Sequence, residues 1–178
     1  MQIIENKALL MRLKQPAHVL AAVAKAKQIN GNEVLVKWDL DTVHKLRKMN
    51  LKAPSPIEGQ YNWPGRFRPM QHQKETAAFL TLHTKAFCFS EQGTGKTAST
   101  IWAADYLLET KQVRRVLVIC PVSIMDVAWR ADLFSFAMHR TVAIAHGAAA
   151  KRKKIIAQGT EFVIINYDGV NVVKDEIA

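Results

Sequence analysis

The sequence has few cysteines, no long apolar run and no compositionally biased segment. Cys88 and Cys120 are its two cysteines, which excludes a disulfide framework or a four-cysteine zinc site. Both lie in apolar stretches, so we expect buried thiols in a reducing, intracellular compartment. The N-terminus lacks a basic segment followed by an apolar one, and no run reaches the roughly 18 apolar residues of a transmembrane helix. We therefore expect no signal peptide and no membrane partner.

The overall composition is that of a globular, basic protein. Hydrophobic residues make up 49% and charged residues 22% of the 178 positions, which argues against a disordered or fibrous chain. The formal net charge is +10 and the isoelectric point about 9.8. A surplus of this size favours a polyanionic partner, nucleic acid before membrane. The basic residues are spread along the chain and form no basic tail.

The chain changes character near residues 53–65, where prolines and glycines are typical of a linker. Before it, 34–38 predicts a strand and 39–51 a helix with Asp39 or Asp41 as N-cap. A second helix over 18–29 is ambiguous. We predict a small α/β accessory region over 1–58 and a separate domain over 59–178.

The second part alternates apolar runs with helical segments, which predicts an α/β fold with a parallel sheet. Strands are predicted at 86–89, 115–120, 141–146 and 161–166. Helices are predicted at about 96–109, 124–136 and 147–158, and after the last strand.

A glycine-rich loop at 90–97, SEQGTGKT, has the strand-before and helix-after context of a phosphate-binding loop. Gly93 and Gly95 let backbone amides approach phosphate oxygens. Lys96 is expected to reach the β- and γ-phosphates, and the hydroxyl of Thr97 to ligate Mg²⁺. Ser90 replaces the usual first glycine. The predicted ATP-binding residues of the loop are Gln92, Gly93, Thr94, Gly95, Lys96 and Thr97, of which Lys96 and Thr97 are also the candidate catalytic residues.

This loop and its flanks, over about residues 64–170, resemble the Swi/Snf-type DNA translocases of helicase superfamily 2, whose loop typically reads DEMGTGKT or DEMGLGKT. The strings HQKETAAFLTLH and INYDGV resemble in particular phage-encoded DNA repair members. The resemblance implies part of a RecA-like ATPase lobe that binds ATP and magnesium. It also implies DNA, duplex or branched, as the partner, a role in DNA repair or remodelling, and a cytoplasmic location in a bacterium or a phage-infected host cell.

The segment PMQHQKETAAFL at 69–80 resembles the family's glutamine motif. We prefer Gln73 to Gln71 as its glutamine, because the downstream spacing fits. A glutamine amide carries both a donor and an acceptor, so it can pair with the edge of adenine. Arg68, Phe67 or Trp63 could stack on the base, although packing under the linker is an equal alternative for the aromatic residues.

Three downstream segments resemble further family motifs that face nucleic acid. The run at 116–136 resembles motif Ia and offers Ser123 as a phosphate contact. The basic stretch Lys151, Arg152, Lys153 and Lys154 is a second candidate, or only a solvated helix face. FVIINYDGV at 162–170 resembles motif Ib, with Asn166 in place of a threonine.

The family's motif II is an acidic pair in which the aspartate holds Mg²⁺ and the glutamate activates water. Asp175 and Glu176 are such a pair, but they follow 162–170 too closely, so we predict a helical segment there and expect motif II and the second lobe with its arginine finger further along. The chain is then expected to bind nucleotide with little hydrolysis. Two alternatives stay open: a non-catalytic nucleotide- and DNA-binding module, and an unrelated P-loop ATPase or kinase, against which the glutamine motif argues.

Overall fold

The strands of the protein form two separate sheets, seen in a computed structural model that describes residues 1–177. One sheet is antiparallel, with the strand order β1 (Gln2–Ile4), β2 (Ala8–Arg12), β4 (Glu33–Lys37) and β3 (Lys27–Asn30). The other is parallel, with the order β5 (Val116–Ile119), β7 (Phe162–Ile165) and β6 (Val142–Ala145). The chain divides into two compact units. The first unit comprises Met1–Asn62 and Lys74–Phe87, and the second comprises Trp63–Gln73 and the chain from Cys88 onward.

The elements have the following bounds. The strands are β1 (Gln2–Ile4), β2 (Ala8–Arg12), β3 (Lys27–Asn30), β4 (Glu33–Lys37), β5 (Val116–Ile119), β6 (Val142–Ala145) and β7 (Phe162–Ile165). The α-helices are α1 (Pro16–Ala22), α2 (Leu40–Lys48), α3 (Ile57–Gln60), α4 (Gln71–Leu82), α5 (Lys96–Glu109), α6 (Ala131–Phe136), α7 (Ala149–Ala157), α8 (Tyr167–Val172) and α9 (Lys174–Ile177). None of these described helices is both long and apolar enough to cross a membrane.

The first unit forms because its central strands alternate between buried and exposed side chains. Val34 and Val36 of β4 face inward beside Leu9 and Met11 of β2, which is the period of a sheet with one buried face. Trp38 completes this core, and its Nε1 donates a hydrogen bond to the carbonyl of Pro54 at 3.0 Å.

Two of the three elements predicted for this unit are confirmed. The strand at 34–38 is β4 and the helix at 39–51 is α2, for which Asp39 is the N-cap because its Oδ1 accepts from the Thr42 amide at 2.9 Å. The helix predicted over 18–29 is wrong in its second half, because α1 ends at Ala22 and the chain returns as strand β3.

The second unit is built on β7, whose four residues are all buried because β5 and β6 pair with it on both sides. The strands predicted at 115–120, 141–146 and 161–166 and the helix at 96–109 are confirmed. The helix predicted over 124–136 is a 3₁₀ turn, a π-helical turn over Met125–Arg130 and then α6.

The strand predicted at 86–89 is wrong. These residues lie outside both sheets, and Phe87 and Phe89 are 82% and 90% exposed. An apolar run becomes a strand only when a neighbouring strand supplies hydrogen bonds, and composition does not reveal that partner. The expected burial is confirmed for Cys120 but not for Cys88, which is half-buried in this segment.

A buried ion pair fixes helix α5 to the starts of two strands. Asp105 of α5 is 1% exposed and pairs with the guanidinium of Arg140, just before β6. Arg140 Nη1 also donates to Glu161 Oε1 at 2.6 Å, just before β7. Burial alone would lower the pKa of Arg140, but its bonds to Asp105 and Glu161 outweigh burial and raise it.

Candidate nucleotide-binding site

Two glycines of the glycine-rich loop lie in the left-handed region of backbone conformation. Gly93 and Gly95 have φ of 79° and 80°, a region that residues with a Cβ rarely adopt. A Cβ on Gly93 would meet nothing within 4 Å, whereas one on Gly95 would strike the side-chain amide of Gln73. Gly95 is the N-cap of α5, so the unpaired amides at the start of that helix open toward the loop.

The loop is closed around its own lysine. Lys96 Nζ donates to the carbonyl oxygens of Ser90 and Glu91, both at 2.7 Å. Thr94 Oγ1 donates to the same Glu91 carbonyl at 2.8 Å. A phosphate is a stronger acceptor for an ammonium group than these neutral carbonyls, so an entering polyphosphate can draw Lys96 away from them.

Gln73 connects helix α4 to the loop. Its Nε2 donates to the Thr94 carbonyl at 3.2 Å, and its Oε1 accepts from the Met70 amide at 2.9 Å. The ring Nε2 of His72 also lies 3.0 Å from the Thr94 carbonyl oxygen. Of the two candidate glutamines, the structure therefore places Gln73 at the loop.

A cavity of about 570 Å³ lies in front of the loop, entirely within the second unit. Its size is that of a small-molecule site. Among the predicted site residues, those that line it are Arg68, Gln73, Gly93, Gly95, Lys96 and Thr97. Phe67, one of the proposed base-stacking residues, also lines it. The cavity therefore has an apolar wall at one side and, at the other, the ammonium group of Lys96 with the backbone amides of the loop.

The apolar wall includes two aromatic residues that the sequence analysis did not identify. Trp102 of α5 and Phe136 of α6 line the cavity with ring centroids 5.1 Å apart. Trp63 packs edge-on against Trp102 at 5.8 Å, and Trp102 Nε1 donates to the Pro64 carbonyl at 2.9 Å. Trp63, predicted as a base-stacking residue, thus supports the wall from behind. The 3.6-residue period of α5 could not reveal this contact, because its partners lie far away in the sequence.

Asp132 adds a carboxylate to the lining of the cavity. Burial raises the pKa of this carboxyl above its ordinary value. A carboxylate here opposes a polyphosphate, so Asp132 tempers the positive potential of the loop.

The residues that line the cavity fit a nucleoside triphosphate with magnesium. Two glycines of positive φ, a helix N-terminus and an ammonium group converge on one cavity, which is the donor set that phosphates bind. Thr97 lines the same cavity and can offer its hydroxyl to Mg²⁺. Residues 1–177 contain no group of three or more His, Cys, Asp or Glu able to hold a metal alone, so the ion would share its ligands with the phosphates.

Asp175 and Glu176 lie in α9, and the prediction of a helical segment there is confirmed. Glu176 Oε1 pairs with Lys153 Nζ at 2.6 Å. Glu176 lines a different pocket, beside Arg115 and Leu117, so the structure does not bring this acidic pair to the phosphate loop.

Two of the predicted DNA contacts lie at one edge of the parallel sheet. Ser123 is exposed in the turn after β5, and Lys151 is exposed in the first turn of α7 after β6. The Lys151 side chain covers Gly147, where a Cβ would lie 3.5 Å from its Cδ. Because the carboxyl ends of parallel strands share an edge, both residues face the side where such sheets bind ligands. Lys153 and Lys154 are exposed further along α7.

Arg152 differs from its basic neighbours and is a correction to the sequence analysis. It is 9% exposed, and its guanidinium donates to the carbonyls of Gly147 and Ala145 at 2.7 and 3.0 Å and to Asn166 Oδ1 at 2.7 Å. The helix turns this position inward while Lys151 and Lys153 point out. Its charge is therefore engaged in the fold, and we do not carry it forward as a phosphate contact.

A parallel sheet with a glycine-rich loop at the N-terminus of a helix is the arrangement of the P-loop class of α/β folds. More specifically, the chain belongs to the SNF2-related domain family, which it matches over residues 67–178. It is similar in structure to the Sulfolobus solfataricus SWI2/SNF2 ATPase core in complex with dsDNA, with a TM-score of 0.52 and 24% identity. That match covers 60% of this chain and 23% of the solved one, and it shows that the fold is part of a RecA-like ATPase lobe. No curated protein gave a significant match.

Proposed function

We propose that this chain is the ATP-binding part of a Swi/Snf-type DNA translocase that acts in DNA repair or remodelling. The observation that carries the proposal is the phosphate loop itself, where Gly93, Gly95 and Lys96 open into a cavity of about 570 Å³ together with Gln73. Membership of the SNF2-related family supports this interpretation of the loop.

The lining residues suggest a division of roles along a bound ATP. Lys96 and the first amides of α5 hold the β- and γ-phosphates. Thr97 holds the magnesium ion. Gln73 would pair with the adenine edge, and Arg68 and Phe67 would contact the base. Gln92 and Thr94 complete the loop around the phosphates.

DNA is the partner that the charge and the sheet edge favour. The net charge of +10 suits a polyanion. Ser123, Lys151 and Lys154 are exposed, and the first two lie at the carboxyl edge of the sheet. Lys153 can join them once it leaves Glu176. The similar Sulfolobus ATPase core was solved in complex with dsDNA, which supports DNA as the partner.

Slow turnover by this chain alone is part of the proposal. The acid candidate Glu176 is paired with Lys153 in another pocket, so water at the γ-phosphate has no activating carboxylate from that pair. The same observation favours the second candidate function, a nucleotide- and DNA-binding module without catalysis.

The first experiment measures nucleotide binding and ATP hydrolysis with and without duplex DNA, using Lys96→Ala and the matched control Arg114→Ala. Arg114 is exposed and lies outside the cavity in the same unit. Loss of binding in Lys96→Ala alone supports the site, and equal binding by all three proteins refutes it. DNA-stimulated turnover that depends on Lys96 would contradict slow hydrolysis and make Asp175 and Glu176 the best candidates for the catalytic pair.

Adenine selection is tested separately with Gln73→Ala, using Gln71→Ala as the control. We expect Gln73→Ala to lose its preference for ATP over GTP, because the amide that reads the base is gone. An unchanged preference would remove Gln73 from the base-binding role.

A further inference from the structure

The first unit carries a basic cleft that no part of the nucleotide site uses. Its volume is about 460 Å³. His44, Arg47 and Lys48 of α2 form one wall, and His83, Thr84 and Lys85, which follow α4, form the other. All of these residues belong to the first unit, to which 83–85 contribute although they lie outside the accessory region predicted over 1–58.

The cleft is positive and has no internal counter-charge. No aspartate or glutamate lines it. Within residues 1–177, Arg47, Lys48 and Lys85 take part in no ion pair. The whole unit carries twelve Lys and Arg against six Asp and Glu, so its surroundings reinforce this potential.

Hydrogen bonds to the backbone fix the walls of the cleft. His44 Nε2 lies 3.3 Å from the Thr81 carbonyl oxygen, and Arg47 Nη1 donates to the Ala53 carbonyl at 3.4 Å. His83 Nδ1 lies 2.8 Å from the Phe79 carbonyl oxygen. The two walls are thus held in place, whereas Lys48 and Lys85 remain exposed.

Cations in the last turn of a helix can be explained without any ligand, because they interact favourably with the helix dipole. That explanation covers Lys45, Arg47 and Lys48 of α2. It does not cover Lys85, which comes from a distant part of the chain and faces the same cleft. Like charges gathered from two segments repel each other, and an anion bound between them relieves that repulsion.

We propose that this cleft binds the phosphodiester backbone of DNA, independently of base sequence. The cleft offers lysine and arginine donors, which neutralise phosphates, and its concave walls suit a strand better than a flat lipid surface. The inference rests on the proposed DNA partner and extends it. The first unit supplies phosphate contacts of its own, in addition to those at the carboxyl edge of the parallel sheet.

The test compares the full chain with Lys48→Gln/Lys85→Gln and with the control Lys14→Gln/Lys27→Gln. The control lysines are exposed, belong to the same unit and lie outside the cleft, so both double variants change the net charge equally. Binding of a fluorescent duplex oligonucleotide is measured by anisotropy across a range of salt concentrations, and circular dichroism checks the fold.

Loss of two phosphate contacts should make the negative slope of log K against log salt shallower by about 1.8, since each contact contributes about −0.9. Between about 50 mM and about 200 mM salt, the factor by which affinity falls should then be about tenfold smaller for the cleft variant than for the wild type. The control variant should keep the wild-type slope.

Equal slopes for the two double variants would overturn the proposal, because the effect would then be one of net charge. Loss of binding to phosphatidylserine vesicles without loss of DNA binding would also overturn it and assign the cleft to a membrane. A wild-type chain that binds no duplex refutes both the cleft and the DNA partner. ATP binding that depends on Lys96 is measured separately, so the nucleotide site can stand even if the cleft proposal fails.

Discussion

Arg152 gives the sharpest test of the structure, because it lies in a basic run where its neighbours are all exposed. Replacing it with alanine removes a guanidinium that binds the carbonyls of Ala145 and Gly147 and the side chain of Asn166. These acceptors lie at the ends of β6 and β7, so the side chain joins both strands to helix α7. The matched control is Lys151→Ala, one residue earlier on the same helix and exposed.

The magnitude follows from the hydrogen bonds. Truncation leaves buried acceptors unpaired, and each hydrogen bond to a charged group contributes roughly 1.5–3 kcal/mol. Removing the charge also removes the cost of burying it, which offsets part of this loss. We expect Arg152→Ala to lower the free energy of unfolding by about 2–4 kcal/mol, which for a chain of this length corresponds to a fall in Tm of about 5–12 °C. Lys151→Ala should change the stability by less than about 0.5 kcal/mol.

Gly169 provides an internal check on the geometry. A Cβ at this helical position would collide with Nη1 of Arg152 and would lie 2.8 Å from Asn166 Oδ1. Gly169→Ala should therefore destabilise the wild type, because the guanidinium is held by its acceptors and cannot move aside freely. In an Arg152→Ala background the same change should cost less, since one of the colliding groups is gone.

Thermal unfolding of the four proteins in this cycle and of the control Lys151→Ala, followed by circular dichroism at neutral pH, measures both effects. Arg152→Ala with the stability of Lys151→Ala would refute the buried arrangement and return Arg152 to the list of DNA contacts. Additive effects of Arg152→Ala and Gly169→Ala would show that the two residues do not touch.

Three further substitutions test other parts of the structure. Asp105→Asn leaves Glu161 as the carboxylate partner of Arg140 and should lower the free energy of unfolding by about 3 kcal/mol in urea denaturation. An unchanged midpoint would place the pair of Asp105 and Arg140 in solvent. Asp132→Asn should raise Tm at neutral pH and tighten ATP binding a few-fold, roughly 1 kcal/mol. Burial raises the pKa of Asp132 above its ordinary value of 3.8, so the folded state holds the proton more tightly than the unfolded state does. The gain in Tm from Asp132→Asn should therefore shrink as the pH falls through the raised pKa toward 3.8. A gain that is independent of pH contradicts this reasoning. Trp38→Phe removes the hydrogen bond to Pro54 and should cost about 1–2 kcal/mol in urea, whereas a neutral result would mean that the carbonyl finds water.

The parts of the fold that could be predicted are those that local pattern determines. Helix α5 begins and ends as predicted, because the glycines of the loop fix its start. Strands β5, β6 and β7 are short continuous apolar runs, which is the signal of a parallel sheet, although β7 alone among these three is buried along its whole length. Asp39 caps α2 by a contact with a residue three positions on, which is visible in the sequence.

The parts that could not be predicted depend on distant partners or on unusual backbone. The hairpin between β1 and β2 turns through Glu5 and Asn6 at φ of 49° and 53°, without the glycine that commonly marks such a turn. The run at 86–89 has strand composition but no place in either sheet. Arg152 could not be separated from its neighbours, because its acceptors come from other elements.

The candidate site shows the same division, and Gln73 shows what the structure adds. The sequence indicates that a glutamine is present, but not what its amide already binds. A carboxamide offers two N–H donors and two acceptor lone pairs. In the structure one donor goes to the Thr94 carbonyl and one lone pair accepts from the Met70 amide. One N–H donor and one acceptor lone pair of the Gln73 amide remain, and this side chain lines the cavity. The edge of adenine also presents one donor and one acceptor, so the two groups can pair. Gln73 can therefore hold the phosphate loop and a base at the same time, so its loss should weaken phosphate binding as well as base selection, whereas a residue that only reads the base would affect selection alone.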